Sequence, residues 1–303
     1  MCEDKKHMLC CLESIEEEIR VKNERDRDLQ SARREARHDD LTGVKNKNAF
    51  REFAASIESR IASADRTFAL FWKTMNPGAP GCEGTDERTK LEMKKTILCY
   101  GDSNTYGYVP ETGMRYAGDV RYPGRLKILL GDDYEVIEEG CNGRTTIHDD
   151  PIDGWKNGLD YLRPCLNSHK PIDIVILMLG SNDLKISFHL PASQIAEDAG
   201  VLVDVIQTFT LEKQGYVPKI ILVSPPEIGE GIRTSPFYGA FNEKAIQESK
   251  KFPEYYKKVA DEKNCIFFNA AEYIYPSETD SLHLTPEGHR ILAEKLCEVV
   301  KEL

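Results

Sequence analysis

The spacing of apolar positions changes character near residue 93. Beyond that point, short apolar runs alternate with longer segments of helical period. The runs at 95–100, 134–139, 172–179, 219–224 and 265–269 have the length and the branched or aromatic content of strands. The stretches near 122–130, 158–168, 191–213, 241–263 and 285–302 read as helices. Strand and helix in regular alternation imply a parallel sheet with helices on both faces. The expected fold is therefore α/β, with five parallel strands. The most apolar run, 172–179, belongs at the centre of the sheet.

The first third is patterned differently. Between residues 12 and 38 more than half of the positions are charged. A 3–4 spacing through Leu12, Ile15, Ile19, Lys22, Asp26, Leu29, Arg33 and Ala36 predicts a helix with a broken coiled-coil stripe. It suits a solvated helix and a dimerising one equally. An amphipathic helix near 47–63 and an apolar strand at 68–72 follow. The run from Asn76 to Gly84, rich in glycine and proline, breaks both helix and strand and reads as a linker. Met93, two lysines and a strand then look like the start of a separate unit. The expected division is a mainly helical extension at 1–75, a linker at 76–92 and a main domain at 93–303.

Within the extension, the run His38-Asp39-Asp40-Leu41-Thr42-Gly43-Val44-Lys45-Asn46, followed by Phe50, resembles the opening of a GGDEF (diguanylate cyclase) domain. The resemblance covers about residues 33–72. That family carries a metal-binding aspartate just after the strand, where this chain has Lys73-Thr74-Met75, and the name-giving signature is missing. Nucleotide cyclisation thus has no chemical support. The resemblance implies a truncated fragment, left either as a dimerisation handle or as a poorly folded remnant.

Composition narrows the function. The formal net charge is −11. An acidic body repels phosphate backbones, so neither a nucleic acid nor an anionic membrane is an expected partner. No apolar run has the length of a membrane span, and the N-terminus lacks a signal-peptide core, so the expected location is the cytoplasm. The nine cysteines show no C-x-x-C spacing, which fits reduced thiols and no metal or other cofactor.

Ligand sites in open parallel sheets lie beyond the carboxyl ends of the strands. There the chain places Gly101-Asp102-Ser103-Asn104, Gly140-Cys141-Asn142-Gly143, Gly180-Ser181-Asn182-Asp183 and Asp280-Ser281-Leu282-His283. Ester hydrolysis needs a nucleophile, a base, a group that orients the base and donors for the oxyanion. Ser103 on a tight turn fits the nucleophile, His283 the base and Asp280 the orienting carboxylate. The backbone N–H groups of Ser103 and Gly143 and the Asn182 amide are the oxyanion donors expected. Activity should fade on acidification, because a charged imidazole cannot accept the serine proton.

These four blocks resemble the SGNH (GDSL) hydrolases, and the stretches GDSNTYGYVP, DVRYPGRL and ILMLGSNDLK resemble their arylesterase/acyltransferase branch. The resemblance spans 94–303. It implies a flavodoxin-like three-layer fold, no metal, small ester substrates, acyl transfer to alcohols in some members, and a homo-oligomer. It also implies the triad Ser103, Asp280 and His283, with Ser103, Gly143 and Asn182 as the oxyanion hole. Asn104 replaces the leucine that names the family and Tyr106 replaces an indole. Both departures are expected to reshape the acyl pocket rather than touch the triad. Tyr106, Tyr108, Trp155, Lys185 and Phe188 are the pocket candidates. His289 is expected on a helix surface; His148, His169 and His189 show no partner pattern and are expected on the surface or in loops. A carbohydrate O-acetylesterase is the nearby alternative. A scaffold protein dimerising through its GGDEF-like fragment is the more distant one.

Overall fold

The computed structural model describes residues 94–152 and 154–303. The charged helix, the GGDEF-like stretch and the linker all lie outside the described residues. Five parallel strands form one sheet: β1 (Lys95–Gly101), β2 (Tyr134–Gly140), β3 (Ile174–Met178), β4 (Lys219–Ser224) and β5 (Ile266–Asn269). Their spatial order is β2-β1-β3-β4-β5, so the most apolar run is the central strand, as its composition predicts. Ile97 pairs with Val136 on one side and Ile174 on the other.

Seven helices are described: α1 (Ser103–Tyr106), α2 (Tyr122–Leu130), α3 (Gly158–His169), α4 (Ala192–Gln214), α5 (Glu243–Ser249), α6 (Phe252–Glu262) and α7 (Pro286–Lys301). The single helix expected over 241–263 is two. Pro253 occupies the first turn of α6, where its missing N–H costs nothing; inside one continuous helix it would remove a hydrogen bond and clash with the preceding turn.

Successive side chains of β3 serve opposite faces of the sheet. Val175 and Leu177 pack with Leu162 and Leu166 of α3, Ile195 and Leu202 of α4, and Phe252 and Tyr256 of α6. Ile174, Ile176 and Met178 pack with Tyr122 and Leu126 of α2 and Leu292 and Leu296 of α7. Each such aliphatic side chain removed from water contributes roughly 1.5–3 kcal/mol. The two cores clamp the sheet and fix the height at which its strand ends emerge. No described helix is long and apolar enough to cross a membrane.

Candidate active site

The turn after β1 is set by its own residues. Asp102 caps α1, its Oδ1 accepting from the Asn104 N–H at 3.0 Å, and Gly107 closes the helix in the left-handed conformation. Burial pushes the Asp102 carboxyl up to about 6, against the Asn104 bond and the His283 and Arg144 charges, which pull it down. Ser103 is thereby fixed at the first position of α1 with 7% of its surface exposed.

The loop between β5 and α7 carries the partner groups. Ser103 Oγ lies 2.9 Å from His283 Nε2, and His283 Nδ1 lies 2.7 Å from Asp280 Oδ2. Asp280 Oδ1 accepts from the backbone N–H of Leu282 at 3.0 Å and of His283 at 2.9 Å. Burial pushes the Asp280 carboxyl up, but the bonds from the His283 ring and from both N–H groups outweigh it and hold the carboxyl below the ordinary range. His283 and Asp280 are 3% and 1% exposed. Ser281, at a left-handed φ of 58°, turns the chain between them.

Asn104 makes no bond to the three relay side chains, as the sequence expectation has it, but it holds the loop that carries His283, a contact the sequence did not show. Its amide nitrogen donates to the Leu282 carbonyl at 3.4 Å and its amide oxygen accepts from the Leu284 N–H at 3.0 Å. The residue beside the nucleophile thus brackets the backbone on both sides of His283. Leucine at this position could make neither bond. Tyr108 stacks on the His283 ring with centroids 4.1 Å apart, and Phe237 meets the same ring edge-on at 5.4 Å.

The other two strand ends complete the rim. Cys141 N–H donates to the Gly101 carbonyl at 3.1 Å, which ties the β2 loop to the nucleophile turn. Gly140 permits this approach, because a Cβ there would run into the backbone of Thr105 and Tyr106. Gly143 has φ +79°, a conformation that costs glycine little. Asn182 donates one amide hydrogen to the Arg144 carbonyl at 3.1 Å, leaving a second for another acceptor. Asp183 accepts from the Thr146 N–H at 3.0 Å and from its hydroxyl at 2.6 Å, pinning the same two loops together. Burial pushes Asp183 up to about 7, against those bonds.

The remaining pocket candidates scatter. Tyr106 lies under the Arg115 guanidinium at 4.5 Å. Lys185 pairs with Asp150 at 2.6 Å, Phe188 lies 5.9 Å from the His148 ring, and Trp155 is 68% exposed. Among these five residues, the contacts bring only Tyr108 against His283.

One histidine departs from expectation, and two others have partners that the sequence did not show. His289 is wholly buried rather than on a helix surface, because the face of α7 that carries it packs on α2. Its Nδ1 accepts from the Tyr122 N–H at 3.3 Å, and burial pushes its pKa down to about 3, so it is neutral. His148 pairs with Asp198 and His169 with Glu139, each at 2.8 Å. Both partners are distant in sequence, so no local pattern announced them. His189 is exposed, as expected.

A family model described as the GDSL-like lipase/acylhydrolase family matches residues 99–291. The chain belongs to that family. Among solved structures, it is similar to the aryl esterase of M. smegmatis, at 39% identity and a TM-score of 0.66, covering 69% of this chain and 99% of that one. It is also similar to a carbohydrate acetylesterase from Sinorhizobium meliloti, at 36% identity and a TM-score of 0.65, with 69% and 99% covered. No match was found among curated proteins. The family thus matches the part of the chain that supplies every strand-end residue described above.

Proposed function

We propose that this chain hydrolyses small carboxylic esters through an acyl-enzyme formed on Ser103. The observation that carries the reading is the continuous relay from Ser103 Oγ through both nitrogens of His283 to Asp280, at 2.9 and 2.7 Å. His283 takes the hydroxyl proton as Ser103 attacks the ester carbonyl, and returns it to the departing alcohol. Water then repeats the sequence in the second half and frees the acid. Asp280 fixes the ring orientation and stabilises the imidazolium. The Ser103 and Gly143 N–H groups and the free Asn182 amide hydrogen receive the oxyanion.

Supporting this reading, the two similar esterases named above share the fold at 36–39% identity. Their names point to two substrate classes, aryl esters and acetylated sugars. Aryl esters are the first choice, because Tyr108 and Phe237 put aromatic surface against His283. A panel of aryl acetates and acetylated sugars, run with and without a competing alcohol, ranks these classes and measures acyl transfer. Ser103→Ala should lower p-nitrophenyl acetate turnover by roughly 10⁶-fold with the fold intact. Turnover that survives the substitution would refute the reading. The same reading makes 93–303 the catalytic unit and the assembly a homo-oligomer. A chain started at Met93, compared with the full chain by rate and by light scattering, tests both points.

A further inference from the structure

A second cluster of reactive side chains lies at the edge of the sheet and shares no residue with the Ser103 relay. The edge strand β2 ends in Glu138-Glu139-Gly140, and Glu139 faces α3. Cys165 and His169 are four residues apart on α3, so both side chains occupy one face of the helix. A carboxylate oxygen of Glu139, the Cys165 sulfur and an imidazole nitrogen of His169 all lie within 4.8 Å of one another. His169 Nε2 and Glu139 Oε1 are already 2.8 Å apart. The thiol is 1% exposed, and it makes no hydrogen bond among the described residues. The His169 and Glu139 side chains keep 27% and 19% exposure, which leaves a path from solvent.

A hydrogen bond between Glu139 and His169 alone would account for two of these groups. The Cys165 side chain packs in the core beside Leu162 and Leu166, and its sulfur also stays within 4.8 Å of both. One nitrogen, one sulfur and one oxygen donor form a set of intermediate softness that suits zinc. Around a tetrahedral zinc ion, with bonds of about 2.0–2.3 Å, neighbouring donors stand roughly 3.3–3.6 Å apart. The His169–Glu139 separation of 2.8 Å lies just below that range and the others stay within 4.8 Å, a difference that side-chain rotation closes.

We propose that Glu139, Cys165 and His169 form a binding site for a borderline-soft divalent cation, zinc by preference, at the seam between β2 and α3. Three protein ligands leave the fourth position to water. The bound ion clips the edge strand to α3, four residues before Gly143. Cys165 would bind as the thiolate, so binding expels the thiol proton. The other groups facing the cluster are the Tyr161 hydroxyl, 3.5 Å from Glu139 Oε1, and the Arg144 guanidinium, stacked on Tyr100 and Tyr161. The arginine charge opposes the ion and favours the thiolate.

The test uses the full chain, stripped with a chelator and titrated with Zn²⁺, with Co²⁺ as the spectroscopic probe. Co²⁺ should give a thiolate charge-transfer band in the near ultraviolet and tetrahedral d–d bands. Saturating Zn²⁺ should raise the melting temperature. Cys165→Ser and His169→Gln should each weaken binding at least tenfold and remove the Co²⁺ band assigned to this site. The other thiols are common to wild type and variants, so the difference isolates Cys165. Should Cys165→Ser not fold, His169→Gln, at a partly exposed position, carries the comparison alone. Absence of a thiolate band in the wild type, or wild-type affinity and band retained in His169→Gln, would overturn the site. Neither readout depends on ester hydrolysis.

Discussion

Replacing Asn104 by leucine, the residue that names the family, tests how far the position of His283 is set from outside its own loop. The substitution keeps the side chain's bulk and removes two buried hydrogen bonds, of 3.4 Å to the Leu282 carbonyl and 3.0 Å from the Leu284 N–H. A buried backbone group left unpaired costs about 1–3 kcal/mol. The longer bond belongs at the low end, so the pair costs about 2–4 kcal/mol. The loop relieves part of this by turning both groups toward water, and it carries His283 with it. A displacement of about 1 Å at a reacting group costs on the order of 10²-fold in rate. The expected outcome for p-nitrophenyl acetate is a kcat lowered about 10- to 10²-fold with KM nearly unchanged. The melting temperature should fall by roughly 5–15 °C. The proton between His283 Nδ1 and Asp280 should also lose its low-field NMR signal. A lowered melting temperature with kcat within twofold of wild type and the proton signal intact would refute the reasoning, because the bracket would then support the fold alone.

Three further outcomes follow from the same geometry. Asn182→Ala should lower kcat by roughly 10²–10³-fold with little change in KM, the loss typical of one oxyanion donor; steady-state kinetics decide it. Gly140→Ala should cost about 3 kcal/mol or more in denaturant unfolding, because the new Cβ meets the Thr105 and Tyr106 backbone, which cannot rotate aside. Asp183→Asn tests a linkage. Burial raises the Asp183 carboxyl to about 7, so its protonated form favours the fold, and stability from this group is lost as pH climbs from about 4 through 7. The variant lacks that loss. Its stability relative to wild type should therefore improve between pH 5 and pH 8, and an unchanging difference would contradict the assignment.

The strands were legible because a two-sided sheet demands nearly continuous apolar runs, and their parallel pairing followed from alternation with helices; of the spatial order, only the central place of the most apolar run was legible. The residues of the relay were legible because parallel strands all deliver their ends to one rim. What escaped was contact between distant segments. His289 reads as a surface residue until α7 is known to dock on α2, and nothing local links His148 to Asp198 or His169 to Glu139. The role of Asn104 escaped for the same reason, since its bonds cross 178 and 180 residues of chain. The break before α6 differs: Pro253 announced it, and the apolar periodicity on either side masked the signal.

The 180 residues between Ser103 and His283 also bear on the order of events during synthesis. A chain made from its N-terminus presents the nucleophile turn long before the imidazole exists. On the proposed mechanism the hydroxyl has no base until then, and a nascent chain meeting ester in its surroundings stays unacylated. The α7 segment that follows His283 supplies Leu292, Leu296 and Val300 to the core, so the base is delivered together with the last piece of the fold. If Ser103 and His283 act as proposed, turnover requires the α7 segment to be in place, and a fragment that stops short of it is silent rather than promiscuous.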